Sequence, residues 1–153
     1  MFLSDGICAI ISVMIIVIDT SVFVGALLSA DGANREVCRR CLLGQFQPLM
    51  GTALLAEYED LLGRESLFVH CPVDVQARIE LFEALMSVAK WTKIYYGWRP
   101  NLRDEGDNHL VELAVAGVAG AIVTNNVRDL ERGELRFPWL RILTPAELIQ
   151  RSS

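Results

Sequence analysis

The sequence predicts an α/β protein of three layers, α/β/α, in which helices cover both faces of a central parallel sheet. Two observations predict this fold class. Short runs of β-branched and other apolar residues, the first being Met14–Asp19 (MIIVID), are typical of strands buried on both faces. Stretches with apolar residues at helical spacing separate these runs, and strands that alternate with helices indicate βαβ units and a parallel sheet.

The expected elements follow the first strand without a linker or an internal repeat. The first half of the chain predicts helices near 21–29 and 33–45, a strand at Gln47–Gly51, a helix capped by Thr52 that runs to Leu62, and a helix at Val75–Val88. The second half predicts an alternating strand at Trp91–Gly97, an apolar helix at Asp107–Ala119, strands at Gly120–Thr124 and Leu140–Thr144, and a helix at Pro145–Arg151.

Composition is consistent with one compact domain. The 153 residues are 52% apolar, which is enough to bury a sizeable core, and the formal net charge of −5 argues against a broad basic surface. The apolar stretch Ile7–Ile18 lacks a positive flank and a cleavage site, and it is shorter than the roughly 20 residues of a membrane helix. We therefore expect no membrane span, a poorly specified leader at 1–13, and a single domain at 14–150.

The four cysteines do not form a recognisable metal or redox site. Cys38 and Cys41 form a CxxC motif, but it falls inside an expected helix, and neither Cys8 nor Cys71 completes a second motif. Buried or incidental thiols are the favoured interpretation. Free thiols in a chain without export features predict a cytoplasmic protein.

Acidic residues stand where strands and helices of the expected sheet meet. Asp19 ends the first strand, and Asp107 opens a helix whose buried face carries Leu110, Val111, Ala114 and Val118. In a parallel sheet, ligands bind beyond the carboxyl ends of the strands, which is where Asp19 falls. Either aspartate is also explained by a plain helix cap.

Further polar residues lie near the same strand and helix ends, but the sequence pattern does not fix which of them face the site. In TALLAEYEDLL, Glu57 and Glu59 border opposite sides of the apolar stripe, and periodicity does not choose between them. Asn125, Asn126 and Asp129 follow the strand at 120–124, where a simple turn is the alternative. Asp104 precedes Asp107 by one helical turn, and a solvated acidic turn explains it equally well.

The chemistry of such a cluster is restricted. Carboxylates brought together repel one another unless they take up protons or cations, and hard oxygen ligands suit Mg²⁺ or Mn²⁺ rather than zinc. Carboxylate-held metal ions serve phosphodiester displacement. No Gly-rich phosphate loop and no GxSxG motif occurs, so nucleotide switching and acyl transfer have little support.

Taken as an ordered set, four segments resemble the PIN-domain nucleases, and within them the VapC-like toxins of toxin–antitoxin pairs. The segments are MIIVIDTSVFVGALLS, LLAEYEDLL, DEGDNHLVELAVAG and IVTNNVRDL, and the resemblance runs from about Met14 to Glu147. It implies a five-stranded parallel sheet and an endoribonuclease that depends on Mg²⁺ or Mn²⁺. It also implies an RNA substrate, an antitoxin partner and a homodimer.

The resemblance assigns the acids one by one. The first acid of the family falls on Asp19, the helical glutamate on Glu57 rather than Glu59, and the helix-start aspartate on Asp107, with Asp104 as an accessory metal ligand. Two positions depart from the pattern. Ser21 stands where many members have asparagine, and Asn126 stands near a fourth aspartate of many members, which leaves Asp129 as the nearest acid.

The mechanism that follows has Asp19, Glu57 and Asp107 hold one ion, which activates water and neutralises charge on the scissile phosphate. Asp104, Asn126 or Asp129 would place a second ion or the attacking water. Thr20 and Thr124 would hydrogen-bond the carboxylates. The side chains that would bind RNA phosphates are those of Arg99, Arg103 and Arg128. The alternative interpretation is that these three are solvated surface arginines without a ligand.

Two other functions compete. A HAD-like phosphatase also has an aspartate after its first strand, but it needs a second one two residues later, where this chain has Ser21. A degenerate PIN-like domain that binds RNA or a protein without catalysis is the stronger alternative, because the fourth acid of the pattern is missing.

Overall fold

The computed structural model describes residues 13–29, 31–94, 108–131 and 137–152. Within these ranges the strands are β1 (Met14–Ile18), β2 (Phe46–Met50), β3 (Lys90–Trp91), β4 (Ala121–Val123) and β5 (Arg141–Leu143). The helices are α1 (Thr20–Leu28), α2 (Ala33–Leu42), α3 (Thr52–Leu62), α4 (Val75–Val88), α5 (Asn108–Ala116), α6 (Val127–Glu131) and α7 (Pro145–Ser152). A 3-10 turn at Glu65–Phe68 and helix α6 were not expected from the sequence.

The five strands form one parallel sheet in the order β3-β2-β1-β4-β5. The predicted α/β class and its five-stranded parallel sheet are therefore confirmed. β1 is central, and Ile16 pairs with Pro48 on one side and with Ala121 on the other. The chain winds outward from β1 in both directions, so the crevice between the carboxyl ends of β1 and β4 is the switch point at which such sheets bind ligands.

The core is built around β1, as its unbroken apolar run predicts. Ile16, Val17 and Ile18 are buried between helices, because every residue of a central parallel strand faces one covered side or the other. Phe23 of α1 stacks on Tyr58 of α3 with ring centroids 4.8 Å apart. This packing holds α1 and α3 together beside the end of β1.

The expected strand at Trp91–Gly97 is wrong in its extent. β3 ends at Trp91, residues 92–94 belong to no strand, and 95–97 lie outside the described residues. β3 is an edge strand, and only Leu49 and Met50 of its neighbour β2 pair with it. The last hydrogen bond between the two strands runs from the Thr92 N–H to the Met50 carbonyl at 2.8 Å. Alternation in the sequence does not reveal how much partner strand is available.

Two helices end earlier than expected, and both end in the same hydrogen-bonding motif. After α2, Gly44 adopts a left-handed φ of 82°, and the next amide, of Gln45, reaches back to the Arg40 carbonyl. After α5, Val118 takes the equivalent position with φ 53°, and the Ala119 amide bonds the Ala114 carbonyl at 2.8 Å. The expectation that Val118 is buried is wrong: it lies beyond the helix and is 70% exposed.

The start of α3 also differs from expectation. Gly51 occupies the capping position and makes no side-chain cap bond, so Thr52 is the first helical residue rather than the cap. The space around Gly51 explains the residue, because a Cβ there would lie 3.2 Å from Leu113 Cδ1 and 3.3 Å from the Thr92 carbonyl oxygen. Close approach of Thr92 and of α5 therefore takes precedence over a capping side chain.

The CxxC motif lies inside α2, as predicted, with Cys38 and Cys41 both buried and free. Burial raises the pKa of Cys38 to about 12 and raises that of Cys41 as well. Cys71 is free and half-buried, and its thiol donates to the Leu27 carbonyl at 3.1 Å. Cys8 lies outside the described residues.

No helix within the described ranges is both long and apolar enough to cross a membrane. The proposed leader at 1–13 falls outside the described residues except for Val13. Its separation from a domain at 14–150 stays a prediction.

Candidate active site

Asp19 lies at the carboxyl end of β1, in the crevice between β1 and β4. Its backbone amide donates to the Val123 carbonyl at 2.9 Å, which continues the β1–β4 ladder up to the start of α1. The residue occupies the capping position of α1 with extended backbone angles, yet its side chain makes no capping hydrogen bond. The carboxylate is therefore directed to other groups, and a plain helix cap does not describe it.

Three neutral hydroxyl groups surround the Asp19 carboxylate. Thr124 donates to Oδ2 at 2.7 Å, Ser21 donates to Oδ2 at 3.0 Å, and Thr20 lies 3.3 Å from Oδ1. Asp19 is only 7% exposed, and among the described residues no basic side chain pairs with it. A buried carboxylate that has only neutral donors keeps much of its desolvation cost, and a bound cation would offset that cost.

Glu57 of α3 approaches the same hydroxyl from the other side. Thr20 Oγ1 lies 3.5 Å from Glu57 Oε1, so this one hydroxyl is within hydrogen-bonding reach of both carboxylates. The buried Tyr58 sets the phase of α3, because its hydroxyl donates to the Ile18 carbonyl at 2.8 Å, one residue before Asp19. Burial raises the pKa of Tyr58 well above its ordinary value, which keeps this donor protonated.

Glu59 and Asp60, on the same helix, face elsewhere. Glu59 borders an apolar groove of about 260 Å³ whose other lining residues are Met50, Leu55, Phe82, Met86, Ala89 and Trp91. Asp60 is exposed and forms an ion pair with Arg64 at 2.6 Å. Of the two glutamates that periodicity left open, Glu57 is the one beside Thr20, whose hydroxyl also contacts Asp19.

His109 of α5 also belongs to this cluster, and sequence reasoning did not include it. Its Nε2 lies 2.8 Å from Glu57 Oε2, while its Nδ1 is buried and has no hydrogen-bond partner among the described residues. The one available signal was its position, two residues after Asp107 at the start of an apolar helix. Histidine at such a place gives no indication of its partner until α3 and α5 are known to pack together.

The segment after β4 closes the site on one side. Thr124 accepts a hydrogen bond from the Asn126 amide at 3.0 Å while it donates to Asp19. The Asn125 side chain bonds the Ser21 carbonyl and Asn34 Oδ1, which ties this segment to α1 and α2. Ser21 thus connects the segment to Asp19, because its hydroxyl also accepts from the Asn125 amide at 3.2 Å.

Asp129 and Arg128 lie on α6 and are exposed. They border an open cleft of about 390 Å³ together with Asn125, Asn126 and Val127. No three acidic, histidine or cysteine side chains in the described part of the chain are close enough to one another to hold a metal. Asp129 is therefore not brought together with Asp19 and Glu57, and its part in the site stays a prediction.

Four of the predicted site residues lie outside the described residues: Asp104, Asp107, Arg99 and Arg103. Asp107 directly precedes Asn108, the first residue of α5, and His109 of that helix contacts Glu57. Among the described residues, Asp19 and Glu57 are the carboxylates that would hold a cation. Their hard oxygen donors fit Mg²⁺ or Mn²⁺, because such ions prefer carboxylate and hydroxyl oxygen surroundings.

Comparison with known proteins identifies the fold and the family. No curated protein matches the sequence. Among solved structures, VapBC2 from Rickettsia felis bound to a DNA fragment from their promoter matches with a TM-score of 0.55 and 17% sequence identity. That match covers 84% of this chain and 97% of that chain, and at this identity it shows the fold alone. The PIN domain family model matches residues 15–128, so the chain belongs to the PIN domain family.

Proposed function

We propose that the chain is a divalent-metal-dependent endoribonuclease and the toxin of a toxin–antitoxin pair. The observation that carries the proposal is the Asp19 carboxylate, which is buried at the switch point of the sheet with neutral hydroxyl partners and shares Thr20 with Glu57. PIN domains are generally nucleases, and PIN nucleases generally use a divalent metal. The structural neighbour VapBC2 supports the toxin assignment.

In this proposal Asp19, Glu57 and Asp107 hold Mg²⁺ or Mn²⁺. When bound, the ion would supply neutralising charge for the scissile phosphate and an activated water. The chain's own contribution is orientation. Thr124 and Ser21 both donate to Asp19 Oδ2, so that oxygen is already partly occupied, and Oδ1 has only the longer contact with Thr20. Oδ1 is thus the Asp19 oxygen that is freer to bind a cation.

The accessory roles remain proposals of the same kind. Asp104, Asn126 or Asp129 would place a second ion or the attacking water. Arg128 borders the cleft beside Asn126 and would contact RNA phosphates, as Arg99 and Arg103 would from the other acidic segment. Arg128 is exposed, which leaves its guanidinium available to a phosphate.

The partners are proposed to be an RNA substrate, an antitoxin protein and a second copy of the chain. A protein partner would cover exposed apolar side chains, among which Trp91 and Val75 are each 55% exposed and Ile79 is 40% exposed. Location in the cytoplasm is also proposed, and the free thiols of Cys38 and Cys41 support it.

A second candidate function is a PIN-like domain that binds RNA or a protein without catalysis. The exposed position of Asp129, away from the Asp19 and Glu57 carboxylates, favours it, because fewer acids then remain to hold metal. Catalysis by the purified protein separates the two functions.

The experiment compares Glu57→Gln with Glu59→Gln. Both changes remove one negative charge from the same helix, and only Glu57 lies beside Thr20 and His109. Glu57→Gln is expected to abolish cleavage of a labelled RNA in Mg²⁺ or Mn²⁺, since an amide is a weaker, uncharged metal ligand. Glu59→Gln is expected to cleave like the wild type. Equal losses, or the reverse ranking, would contradict the assignment.

A further inference from the structure

The contact between His109 and Glu57 joins two helices that are far apart in the chain. His109 Nε2 and Glu57 Oε2 are 2.8 Å apart, and the two side chains are 15% and 40% exposed. An ionised carboxylate has no hydrogen to donate, so Nε2 must carry the proton of this hydrogen bond. The direction of the bond therefore runs from α5 to α3.

The other ring nitrogen has no hydrogen-bond partner among the residues that the structure describes. His109 Nδ1 is buried, and no residue that the structure describes offers it a hydrogen bond. A buried polar atom that lacks a hydrogen bond costs more stability than an ordinary hydrogen bond contributes. Such orphaned groups are uncommon in native structures and are concentrated where function constrains a side chain.

The contact limits what Glu57 can do. Its Oε2 is occupied by His109, and its Oε1 faces Thr20, the hydroxyl that also contacts Asp19 Oδ1. A glutamate that is 40% exposed on a helix surface would otherwise sample several rotamers. With Oε2 held by the ring, Oε1 remains directed towards the Thr20 hydroxyl, which also contacts Asp19.

We propose that His109 is a positioning residue of the candidate active site, which holds Glu57 so that its Oε1 faces the Asp19 carboxylate across Thr20. This inference rests on the proposed cation site at Asp19 and Glu57. The histidine contributes through the hydrogen bond from Nε2. A side chain that keeps an N–H at this place should therefore replace it, and an apolar one should not.

The test measures Mn²⁺ affinity of the full chain by electron paramagnetic resonance, without RNA. His109→Leu is expected to raise the Kd about tenfold or more, as loss of a group that orients a metal ligand does. His109→Gln, which keeps a side-chain N–H, should stay near the wild-type Kd. His70→Leu is the matched control, because His70 is the other histidine of the chain and is exposed. Wild-type affinity in His109→Leu would overturn the proposal.

Two further measurements make the outcome unambiguous. If Asp19→Asn and Glu57→Gln also bind Mn²⁺ like the wild type, the cation site itself is wrong. If they lose affinity while His109→Leu does not, only the role of His109 is wrong.

Nitrogen-15 NMR of the wild-type protein checks the hydrogen bond without any change at His109. We expect the Nε2–H tautomer for His109 and a shift of its signal in Glu57→Gln, and an Nδ1–H tautomer would refute the proposal.

Discussion

Replacing Asp19 by asparagine separates a metal ligand from a structural carboxylate. The change removes one negative charge at almost constant volume. In the chelated protein the buried Asp19 charge has three neutral hydroxyl partners and no basic one among the described residues, so its desolvation cost is only partly offset. An asparagine retains a carbonyl acceptor, and hydroxyl groups can reverse to accept from its amide. In EDTA, Asp19→Asn should therefore melt at the wild-type temperature or above it.

Adding Mg²⁺ should separate the two proteins. At a free Mg²⁺ concentration 100 times the Kd, binding stabilises the native state by about 2.7 kcal/mol. A chain of this size gains roughly 2–4 °C in Tm per kcal/mol, so the wild-type Tm should rise by about 5–10 °C. If the variant binds a hundredfold more weakly, the same Mg²⁺ concentration contributes only about 0.4 kcal/mol, or roughly 1 °C.

Thermal melts followed by circular dichroism, with EDTA and with Mg²⁺, make this comparison. Asp60→Asn is the matched control, because it makes the same change of charge at an exposed position whose partner is Arg64. It should keep the full Mg²⁺ response. Asparagine is nearly as good a helix cap as aspartate, so a purely structural Asp19 predicts an unchanged response in the variant too. Equal Mg²⁺ shifts in wild type and Asp19→Asn would refute the reasoning.

Two other predictions follow from the structure, and one follows from the proposed partners. Val118→Gly should raise stability by about 0.5–1 kcal/mol in urea denaturation, since it relieves a left-handed valine that is 70% exposed, and a lower urea midpoint would contradict this. Cys38 and Cys41 should resist a thiol reagent at pH 8 in the native protein, because burial raises both pKa values and so suppresses the thiolate, and should react once urea unfolds the chain. Light scattering should find a homodimer, and a monomer at every concentration would defeat that proposal alone.

The fold was accessible from the sequence where burial is complete. The run MIIVID predicts β1 because a central parallel strand needs apolar residues on both faces, and the structure places Met14–Ile18 there. The stripe that includes Leu54 and Tyr58 also predicted the phase of α3, with Glu57 and Glu59 on its two borders. The local sequence pattern was sufficient at these places because the apolar side chains pack against a neighbouring strand or helix at regular spacing.

Local pattern was insufficient where packing between distant segments decides. The edge strand β3 is short because only Leu49 and Met50 of β2 pair with it. Val118 is exposed because the helix-ending motif falls before the apolar pattern of the sequence ends. The site shows the same division. Asp19 was predicted from its place at a strand end, but the ring of His109 reaches Glu57, and the hydroxyl of Ser21 accepts from the Asn125 amide, only through tertiary contacts.

The most direct test of the central claim is cleavage of a labelled RNA by the purified protein. The protein is first assayed in excess EDTA and then after Mg²⁺ or Mn²⁺ is restored, with Glu57→Gln beside it throughout. We predict no cleavage in EDTA, recovery of cleavage when the divalent ion is restored, and no recovery in Glu57→Gln. Undiminished cleavage in excess chelator, or a metal-restored Glu57→Gln that cleaves like the wild type, would contradict a nuclease that works through a cation held by Asp19 and Glu57.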